Sequence, residues 1–158
     1  MQAHELATPY PTVRLDTNAG VAARLLTEHN RPGLIVVDDN DHPIAVLPGS
    51  QVLRMMIPRY VQEDPALARV LDEEAADHMC DVLADKTVKD LMPTERVTLP
   101  VVAPDDTVLE IAAIMAANRS PVVAVVVERD KTAPLLGAVS VSQLLGRILP
   151  DARSPDQP

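Results

Sequence analysis

The sequence contains no phenylalanine or tryptophan and only two tyrosines, Tyr10 and Tyr60. Proteins that bind single-stranded nucleic acid stack bases on aromatic rings, so the composition nearly excludes this mode of binding. Basic residues are also scarce, since 14 lysines and arginines stand against 23 aspartates and glutamates and give a net charge of −9. Affinity for a phosphate backbone rests on clustered basic side chains. We therefore expect no nucleic-acid partner, and a DNA-linked regulator is disfavoured.

Cysteine is nearly absent as well. Cys80 is the one cysteine, which excludes an internal disulfide and suits a reducing cytoplasm. A lone cysteine is usually a small buried hydrophobe, so we expect Cys80 to be buried and unreactive. The first residues do not have the pattern of a signal peptide, and the apolar runs are too short to span a bilayer. These features predict a cytoplasmic protein without direct membrane insertion.

The chemistry of an enzyme or a metal site also finds no support in the sequence. His78 and Cys80 are two positions apart on a predicted helix, so they face different directions and cannot converge on a zinc ion. The adjacent acids Asp105-Asp106 and Glu73-Glu74 are explained by helix capping and solvation. No glycine-rich phosphate loop and no nucleophile elbow occurs. We expect no catalytic activity, no metal and no resident cofactor.

What the chain does contain is an internal repeat. Residues 5–56 and 90–149 follow one order of elements: strand, helix, strand, strand, helix. Each half is too small to bury its own core, so the two halves should pack together. The apolar fraction of 47% is ample for that core. Antiparallel hairpins with separate helices predict an α+β fold and exclude a doubly wound sheet.

The elements of each copy are predicted from caps, apolar runs and turn residues. The first copy has a helix that Thr17 or Asn18 caps, with Val21, Leu25 and Leu26 on one face. Strands over 34–37 and 44–47 follow it, and then a helix from Ser50 to 56. The second copy has a strand at 101–102, a helix over 107–118 that Asp105 or Asp106 caps, and strands over 122–128 and 135–141. Its last helix begins at Ser142 and ends at 149.

The segment between the copies is acidic. Residues 63–85 hold eight aspartates and glutamates against one arginine, Arg69, a run typical of a solvated helix face. Asp64-Pro65 is a good helix start, because a capping side chain precedes a proline at the first helical position. One or two helices are expected over 64–84. The inward apolar stripe would be Leu67, Val70, Leu71, Ala75, Met79, Val82 and Leu83.

Three segments of the second copy carry a resemblance to a known family. They are the lead-in motif Val88-Lys89-Asp90-Leu91-Met92-Pro93, the step Asn118-Arg119-Ser120-Pro121 into a valine-rich strand, and the ending over 136–145. In order and spacing they resemble the cystathionine beta-synthase (CBS) domain family, as a tandem pair. The first copy is degenerate, with Glu5-Leu6-Ala7 at the lead-in motif. We expect repeats over 1–62 and 87–150, an insertion over 63–86 and a disordered tail over 151–158.

The resemblance implies a regulatory module. Two copies of this family pair through their sheets about a pseudo-two-fold axis, and the clefts between them hold AMP, ADP, ATP or S-adenosylmethionine. Such pairs commonly form homodimers and pass a shape change to an enzyme or a membrane transporter, which here would be a separate chain. The alternative is a ligand-free dimerisation or interaction module with vestigial clefts. In that case the insertion over 64–85 would carry the contacts.

The candidate nucleotide contacts follow from the same resemblance and from polarity. Arg119 and Arg31 precede the long strands and are placed for phosphate, while Ser140 and Ser142 lie near a helix N-terminus that favours an anion. Arg54 and Arg147 are further possibilities. The full set in the second copy is Thr98, Arg119, Ser120, Pro121, Ser140, Ser142 and Gln143, and in the first copy Thr12, Arg31, Pro32, Ser50 and Gln51.

One departure from the family pattern bears on the ribose. Nucleotide-binding members often have Ser or Thr followed three residues later by an Asp that accepts both ribose hydroxyls. Here the pairs are Pro48 with Gln51 and Ser140 with Gln143. A neutral amide has one acceptor oxygen, so a weaker grip is expected, and the second copy is favoured over the first. The simpler interpretation of Ser50 and Ser142 is that they only cap helices.

Overall fold

The computed structural model of the chain describes residues 1–95, 99–126 and 134–150. Four sequence predictions lie outside these residues: the contact at Thr98, the strand end at 127–128, most of the turn at 129–134 and the tail at 151–158. The helices are α1 Ala3–Leu6, α2 Ala19–His29, α3 Gly49–Met56, α4 Arg59–Glu63, α5 Glu73–Met79, α6 Val88–Leu91, α7 Val108–Asn118 and α8 Val141–Ile148. The strands are β1 Thr12–Val13, β2 Gly33–Val37, β3 Pro43–Pro48, β4 Val101–Val102, β5 Val122–Val126 and β6 Leu135–Ser140.

The chain divides into two compact units. The repeat-1 unit is Tyr10–Thr98, and the repeat-2 unit combines Met1–Pro9 with Leu99–Pro158. Helix α1 therefore belongs to the unit built from the second copy, and α6 belongs to the unit built from the first. Each unit therefore takes one short helix from the other copy of the repeat. We call α1 and α6 the lead-in helices.

Each unit contains the same three-stranded sheet, in the orders β1-β2-β3 and β4-β5-β6. In both, the short first strand is parallel to the second, which forms an antiparallel hairpin with the third. The registers match, because Gly33 faces Pro48 in one hairpin and Val122 faces Ser140 in the other. Each hairpin also has a register shift at the equivalent position, between Val36 and Val37 in one and between Val125 and Val126 in the other. The α+β tandem repeat is thereby confirmed.

Burial of the central strands forms both cores. Every residue of β2 and β5 is buried, which requires apolar cover on both faces of each strand. One core joins the sheet of the repeat-1 unit to α2, α3 and α6, and the other joins the second sheet to α1, α7 and α8. On α2 the inward residues are Ala19 and Ala22, with Leu25 and Leu26 packed beside them. Val21 was expected on this face but is exposed.

Backbone hydrogen bonds dock each lead-in helix. The amide of Ala3 donates to the Asp106 carbonyl at 2.8 Å, and the amide of Val88 donates to the Thr17 carbonyl at 2.8 Å. Each acceptor lies in the turn before the long helix of its unit. Capping boxes, Gln2 with Glu5 and Thr87 with Asp90, begin the two lead-in helices. These bonds satisfy amides that a helix N-terminus otherwise leaves open.

The cap of α7 differs from the expectation. Thr107, rather than Asp105 or Asp106, caps this helix, in a capping box with Glu110. Asp106 is buried and accepts a hydrogen bond from the Ala103 amide at 2.9 Å. Its carboxylate therefore shapes the turn before the helix. For α2 the expected cap is confirmed, because the Asn18 side chain accepts from the Gly20 and Val21 amides.

The insertion is broken into short helices. The Asp64 side chain accepts a hydrogen bond from the Ala66 amide and caps a helix as expected, but this helix, Pro65–Val70, is a 3-10 helix. A second 3-10 helix, Cys80–Leu83, follows α5. A 3-10 helix has three residues per turn, so the apolar stripe loses its common face. Only Leu83 of that stripe is buried, whereas Val70 is 79% exposed. Cys80 is also exposed, which corrects the expectation of a buried thiol. None of the helices in the described part of the chain has the length and hydropathy needed to cross a bilayer.

Gly137→Ala is expected to destabilise the fold. A Cβ at Gly137 would lie 3.0 Å from the Thr8 carbonyl oxygen and 3.3 Å from the Ala7 Cβ, so the segment after α1 would have to move at a cost of about 1–3 kcal/mol. Gly146→Ala is the matched control, because a Cβ there meets nothing within 4 Å and alanine favours a helix by about 0.5–1 kcal/mol. Urea unfolding measures both, and a Gly137→Ala variant as stable as the parent would contradict this packing.

Candidate ligand site

In each unit the hairpin runs directly into an eight-residue helix, and this junction places most of the candidate residues. In the repeat-1 unit the first amide of α3, that of Gly49, donates to the Pro32 carbonyl at 2.8 Å. In the repeat-2 unit the first amide of α8, that of Val141, donates to the Pro121 carbonyl at 3.0 Å. The proline that precedes the central strand, Pro32 before β2 and Pro121 before β5, is therefore held beside a helix N-terminus in both units.

The caps of these two helices are not Ser50 and Ser142. Pro48 occupies the capping position of α3 without a side-chain hydrogen bond, and Ser140 caps α8 in a capping box with Gln143. Ser50 and Ser142 are each the second residue of a helix, and both are exposed. The interpretation of them as simple N-caps is wrong, because the capping positions, Pro48 and Ser140, lie two residues before these serines. The Ser142 hydroxyl lies 3.0 Å from the Ser140 hydroxyl.

Both polar atoms of the Gln143 side-chain amide form hydrogen bonds within the repeat-2 unit. Its Oε1 accepts from the Ser140 amide at 2.9 Å and from the Ser140 hydroxyl at 3.0 Å. Its Nε2 donates to the Thr8 hydroxyl at 3.0 Å. A ribose hydroxyl would have to compete for an acceptor that already takes two donors. The structure therefore gives Gln143 the role of tying α8 to the segment after α1.

Gln51 occupies the corresponding position of α3 in a different environment. Pro48 offers it no hydroxyl, and Pro93 stands where Thr8 stands in the repeat-2 unit. Within the described residues the Gln51 side chain makes no hydrogen bond, and with Arg54 it lines an open cavity of about 1100 Å³. The other lining residues are Met55, Ile57, Pro58, Arg59, Gln62, Glu63, Asp90, Leu91, Met92, Pro93, Thr94 and Glu95.

The two candidate arginines are not structural equivalents. Arg119 is the left-handed C-cap of α7, with φ of 50°, and its counterpart after α2 is Asn30, with φ of 48°. Arg31 corresponds instead to Ser120. The repeated letters Asn-Arg had suggested an alignment that is one residue out of step. Asparagine tolerates the left-handed region, whereas arginine is less suited to it, and Arg119 is exposed there.

Arg31 and Ser120 have distinct surroundings as a result. The Arg31 guanidinium lies 4.9 Å from the centroid of the Tyr10 ring, a cation–π geometry. The Tyr10 hydroxyl donates to the Gly33 carbonyl at 3.1 Å. The pKa of the Tyr10 phenol is raised by burial, and the charge of Arg31 offsets part of that increase. Ser120 is buried, and its hydroxyl donates to the Val122 carbonyl at 2.6 Å. It is thus engaged within the unit.

The remaining candidates lie on the surface. Thr12 on β1, the rings of Pro32 and Pro121, and Arg54 and Arg147 in the last turns of α3 and α8 are all exposed. No group of three potential metal ligands occurs within the described ranges. Sequence reasoning missed Thr8 and Tyr10. Aligning Leu6 with Leu91 would have paired Thr8 with Pro93 and drawn attention to the first of them.

The comparison with known families decides the identity of this fold. The profile of the CBS domain matches residues 3–57 and 88–150. The chain belongs to the CBS domain family. A CBS domain-containing protein of unknown function from Kribbella flavida DSM 17836 is 49% identical, with a TM-score of 0.83 over 94% of this chain and 98% of that one. No curated protein matches the chain in sequence.

Two further CBS structures have the same fold. The CBS domain of a CBS domain containing membrane protein from Sphaerobacter thermophilus is 25% identical, with a TM-score of 0.70 over 94% of this chain and 88% of that one. CBSX2, a CBS-pair protein from Arabidopsis thaliana, was solved in complex with AMP. That complex is 19% identical, with a TM-score of 0.61 over 92% of this chain and 94% of that one. CBS pairs are generally regulatory modules, and proteins with only CBS domains are typically not catalytic.

Thr8→Val is expected to destabilise the protein by about 1 kcal/mol, because the half-buried Nε2 of Gln143 would lose its acceptor. In a Gln143→Ala background the same substitution should have a much smaller effect, since the bond is already absent. Thr12→Val is the control, because Thr12 is exposed, and it should stay within about 0.5 kcal/mol of the parent. Urea unfolding of the four-member cycle tests this contact; additive effects would show that the bond contributes nothing.

Proposed function

We propose that this protein is a regulatory module that binds an adenosine-type nucleotide, AMP, ADP, ATP or S-adenosylmethionine, and signals the binding to a separate partner. The strand-to-helix junctions would hold the ligand. Family membership supports regulation, and the neighbour in complex with AMP makes this fold compatible with such a ligand.

The observation that carries the proposal is the grouping of donors at each junction. The carbonyls of Pro32 and Pro121 accept the first amide of an eight-residue helix, and an arginine precedes each of these prolines by one or two residues. Arg31 and Arg119 would supply guanidinium groups beside the starts of α3 and α8, and a helix N-terminus favours an anion even though its first amide is already bonded here. Ser50 and Ser142 add exposed hydroxyls. A phosphate group is the natural complement of these donors.

The adenine and ribose would be held more weakly than the phosphate. The peptide groups at the ends of the valine-rich strands offer donors and acceptors for an adenine edge beside apolar walls. Neither copy has the ribose-binding carboxylate, and Gln143 already bonds to Ser140 and Thr8. We infer that phosphate-bearing ligands bind with higher affinity than S-adenosylmethionine.

Signalling requires a second shape and a partner. We propose a homodimer whose subunits change their arrangement when a ligand favours one of two populated states. A membrane transporter or an enzyme on a separate chain would receive the change. The Sphaerobacter neighbour is the CBS domain of a membrane protein, which supports the first of these partners.

Isothermal titration of the purified protein with AMP, ADP, ATP and S-adenosylmethionine tests the proposal. Arg119→Asn should weaken nucleotide binding at least about 10-fold, because one charge-assisted contact to phosphate is lost. Asparagine already occupies the equivalent position, Asn30, so stability should be equal or slightly higher. Arg24→Asn on the exposed face of α2 is the charge control.

Two results would count against nucleotide binding. One is the absence of heat and of any thermal shift with all four ligands at millimolar concentration. The other is binding that Arg119→Asn and Arg24→Asn weaken to the same extent, since a site at the junction requires Arg119 specifically.

A ligand-free association module is the second candidate function, and one face of α8 favours it. Val141, Leu145 and Ile148 are 37%, 46% and 45% exposed. At spacings of four and three residues they share a side of the helix. Water exposure of such a stripe is unfavourable, so a second copy of the chain is the proposed cover.

Leu145→Glu should raise the dissociation constant of the homodimer at least about 10-fold, because a carboxylate would be buried in an apolar contact. Leu109→Glu, at a leucine that is 75% exposed on α7, is the matched control and should leave association unchanged. Sedimentation velocity over a concentration series measures both. A parent protein that stays monomeric throughout would remove this candidate.

A further inference from the structure

The segments that follow the two lead-in helices pack differently on their sheets. In the repeat-2 unit Thr8 pairs with Ala138 of β6 through two backbone hydrogen bonds, Thr8 amide to Ala138 carbonyl at 3.1 Å and Ala138 amide to Thr8 carbonyl at 3.0 Å. The neighbouring Gly137 leaves room for the approach, and Gln143 adds the third bond, to the Thr8 hydroxyl. This segment is therefore closed onto the sheet.

The repeat-1 unit keeps a glutamine, Gln51, at the position of Gln143 but has replaced the other two residues of that contact. Pro93 stands at the position of Thr8 and has no amide proton, so it cannot form the same pair of bonds. Ala45 stands at the position of Gly137, because it faces Val36 as Gly137 faces Val125. The isolated bridges of the described chain involve Gln2, Thr8 and Asn18, and Pro93 takes part in none of them.

A cleft of about 210 Å³ lies where the closed contact is found in the other unit. Its walls are mostly apolar and come from the segment between β1 and α2, from β3, and from α6 and the segment after it. The lining residues are Leu15, Ile44, Ala45, Met92, Pro93 and Lys89. The cavity is smaller than the usual range of about 300–1,000 Å³ for drug-sized ligands, so its occupant is a small molecule of few atoms.

Lys89 gives the cleft its single charge. The equivalent residue of the other lead-in helix is His4, whose Nδ1 lies 2.9 Å from the Pro104 carbonyl oxygen. Lys89 is exposed and makes no ion pair within the described ranges. The adjacent acid, Asp90, is bound to the Thr87 amide and hydroxyl at 2.9 and 3.2 Å. The hydrogen bond from the Thr87 amide, and after it the charges of Lys86 and Lys89, lower the pKa of the Asp90 carboxyl. The ammonium group therefore remains available to an anion at the mouth of an apolar cleft.

We propose that this cleft binds a small organic carboxylate with a branched apolar body. The apolar part would lie against Ile44, Ala45 and Met92, and the carboxylate would pair with Lys89. The inference does not depend on nucleotide binding, because Lys89, Ile44 and Ala45 belong neither to the junctions nor to the larger cavity beside Gln51 and Arg54.

The test uses protein carrying ¹³C-methyl methionine and 4-methylpentanoate as the probe. The Met92 methyl signal should shift and saturate, whereas Met115, which lies in the core of the other unit, should not move. Two matched compounds separate the contributions: 4-methylpentanamide has the same body without the charge, and acetate has the charge without the body. Both should bind at least about fivefold more weakly than the probe.

Variants assign the effect to the cleft. Lys89→Gln should weaken the probe about fivefold, the scale of one exposed ion pair, and Lys86→Gln should leave its affinity unchanged. Ala45→Leu should fill the cleft and abolish the shift of Met92; if that variant does not fold, the comparison of the two lysine variants decides. An unmoved Met92 signal at millimolar probe, or equal binding of the amide, overturns the proposal. Titrating the same sample with AMP tests the nucleotide independently.

Discussion

Complete burial of the central strands, β2 and β5, is the constraint on which the rest of the structure depends. A strand without a solvated face needs apolar cover on both sides, and on one side the helices supply it by packing on Leu34 and Val36 of β2 and on Val123 and Val125 of β5. The lead-in helices belong to this cover: Ala3 and Val88 are fully buried, and their amides donate to carbonyls in the turns before α7 and α2. Because each unit draws one helix from the other copy of the sequence, the two repeats depend on each other for their cores.

The two units keep one fold but have diverged in chemistry at a few positions. Ser140, Gln143 and Thr8 form a connected set of hydrogen bonds in the repeat-2 unit. Pro48, Gln51 and Pro93 occupy the same places in the repeat-1 unit and cannot form it, because proline offers neither a hydroxyl nor an amide proton. The closed arrangement holds the chain against the sheet, and the open one leaves cavities on the surface of the unit. The two described cavities are thus lined by residues of the repeat-1 unit, although both units share one fold.

Most of the fold could be predicted from the sequence, but the hydrogen-bond partners of the candidate site residues could not. Apolar runs and Asn18 defined the hairpins and the start of α2, because these signals are local. The registers of Arg31 and Arg119 were misjudged, since the repeated letters Asn-Arg fall one residue apart relative to the helix ends. Ser120 and Gln143 were expected to contact a ligand, but hydrogen bonds within the unit engage them. In the insertion, the change from α-helix to 3-10 helix exposed Val70, which a uniform helical period would have buried.

By itself the sequence determined the repeat, the order of its elements and the valine-rich strands, because periodicity and capping act over a few residues. Its small number of basic and aromatic residues also predicts that the protein does not bind nucleic acid. Only the tertiary structure decided which polar side chains face each other. Thr8 and Gln143 are 135 positions apart, and nothing local indicates their bond. The same holds for Lys89, whose position beside an apolar cleft depends on how closely the segment after α6 approaches the distant strand β3.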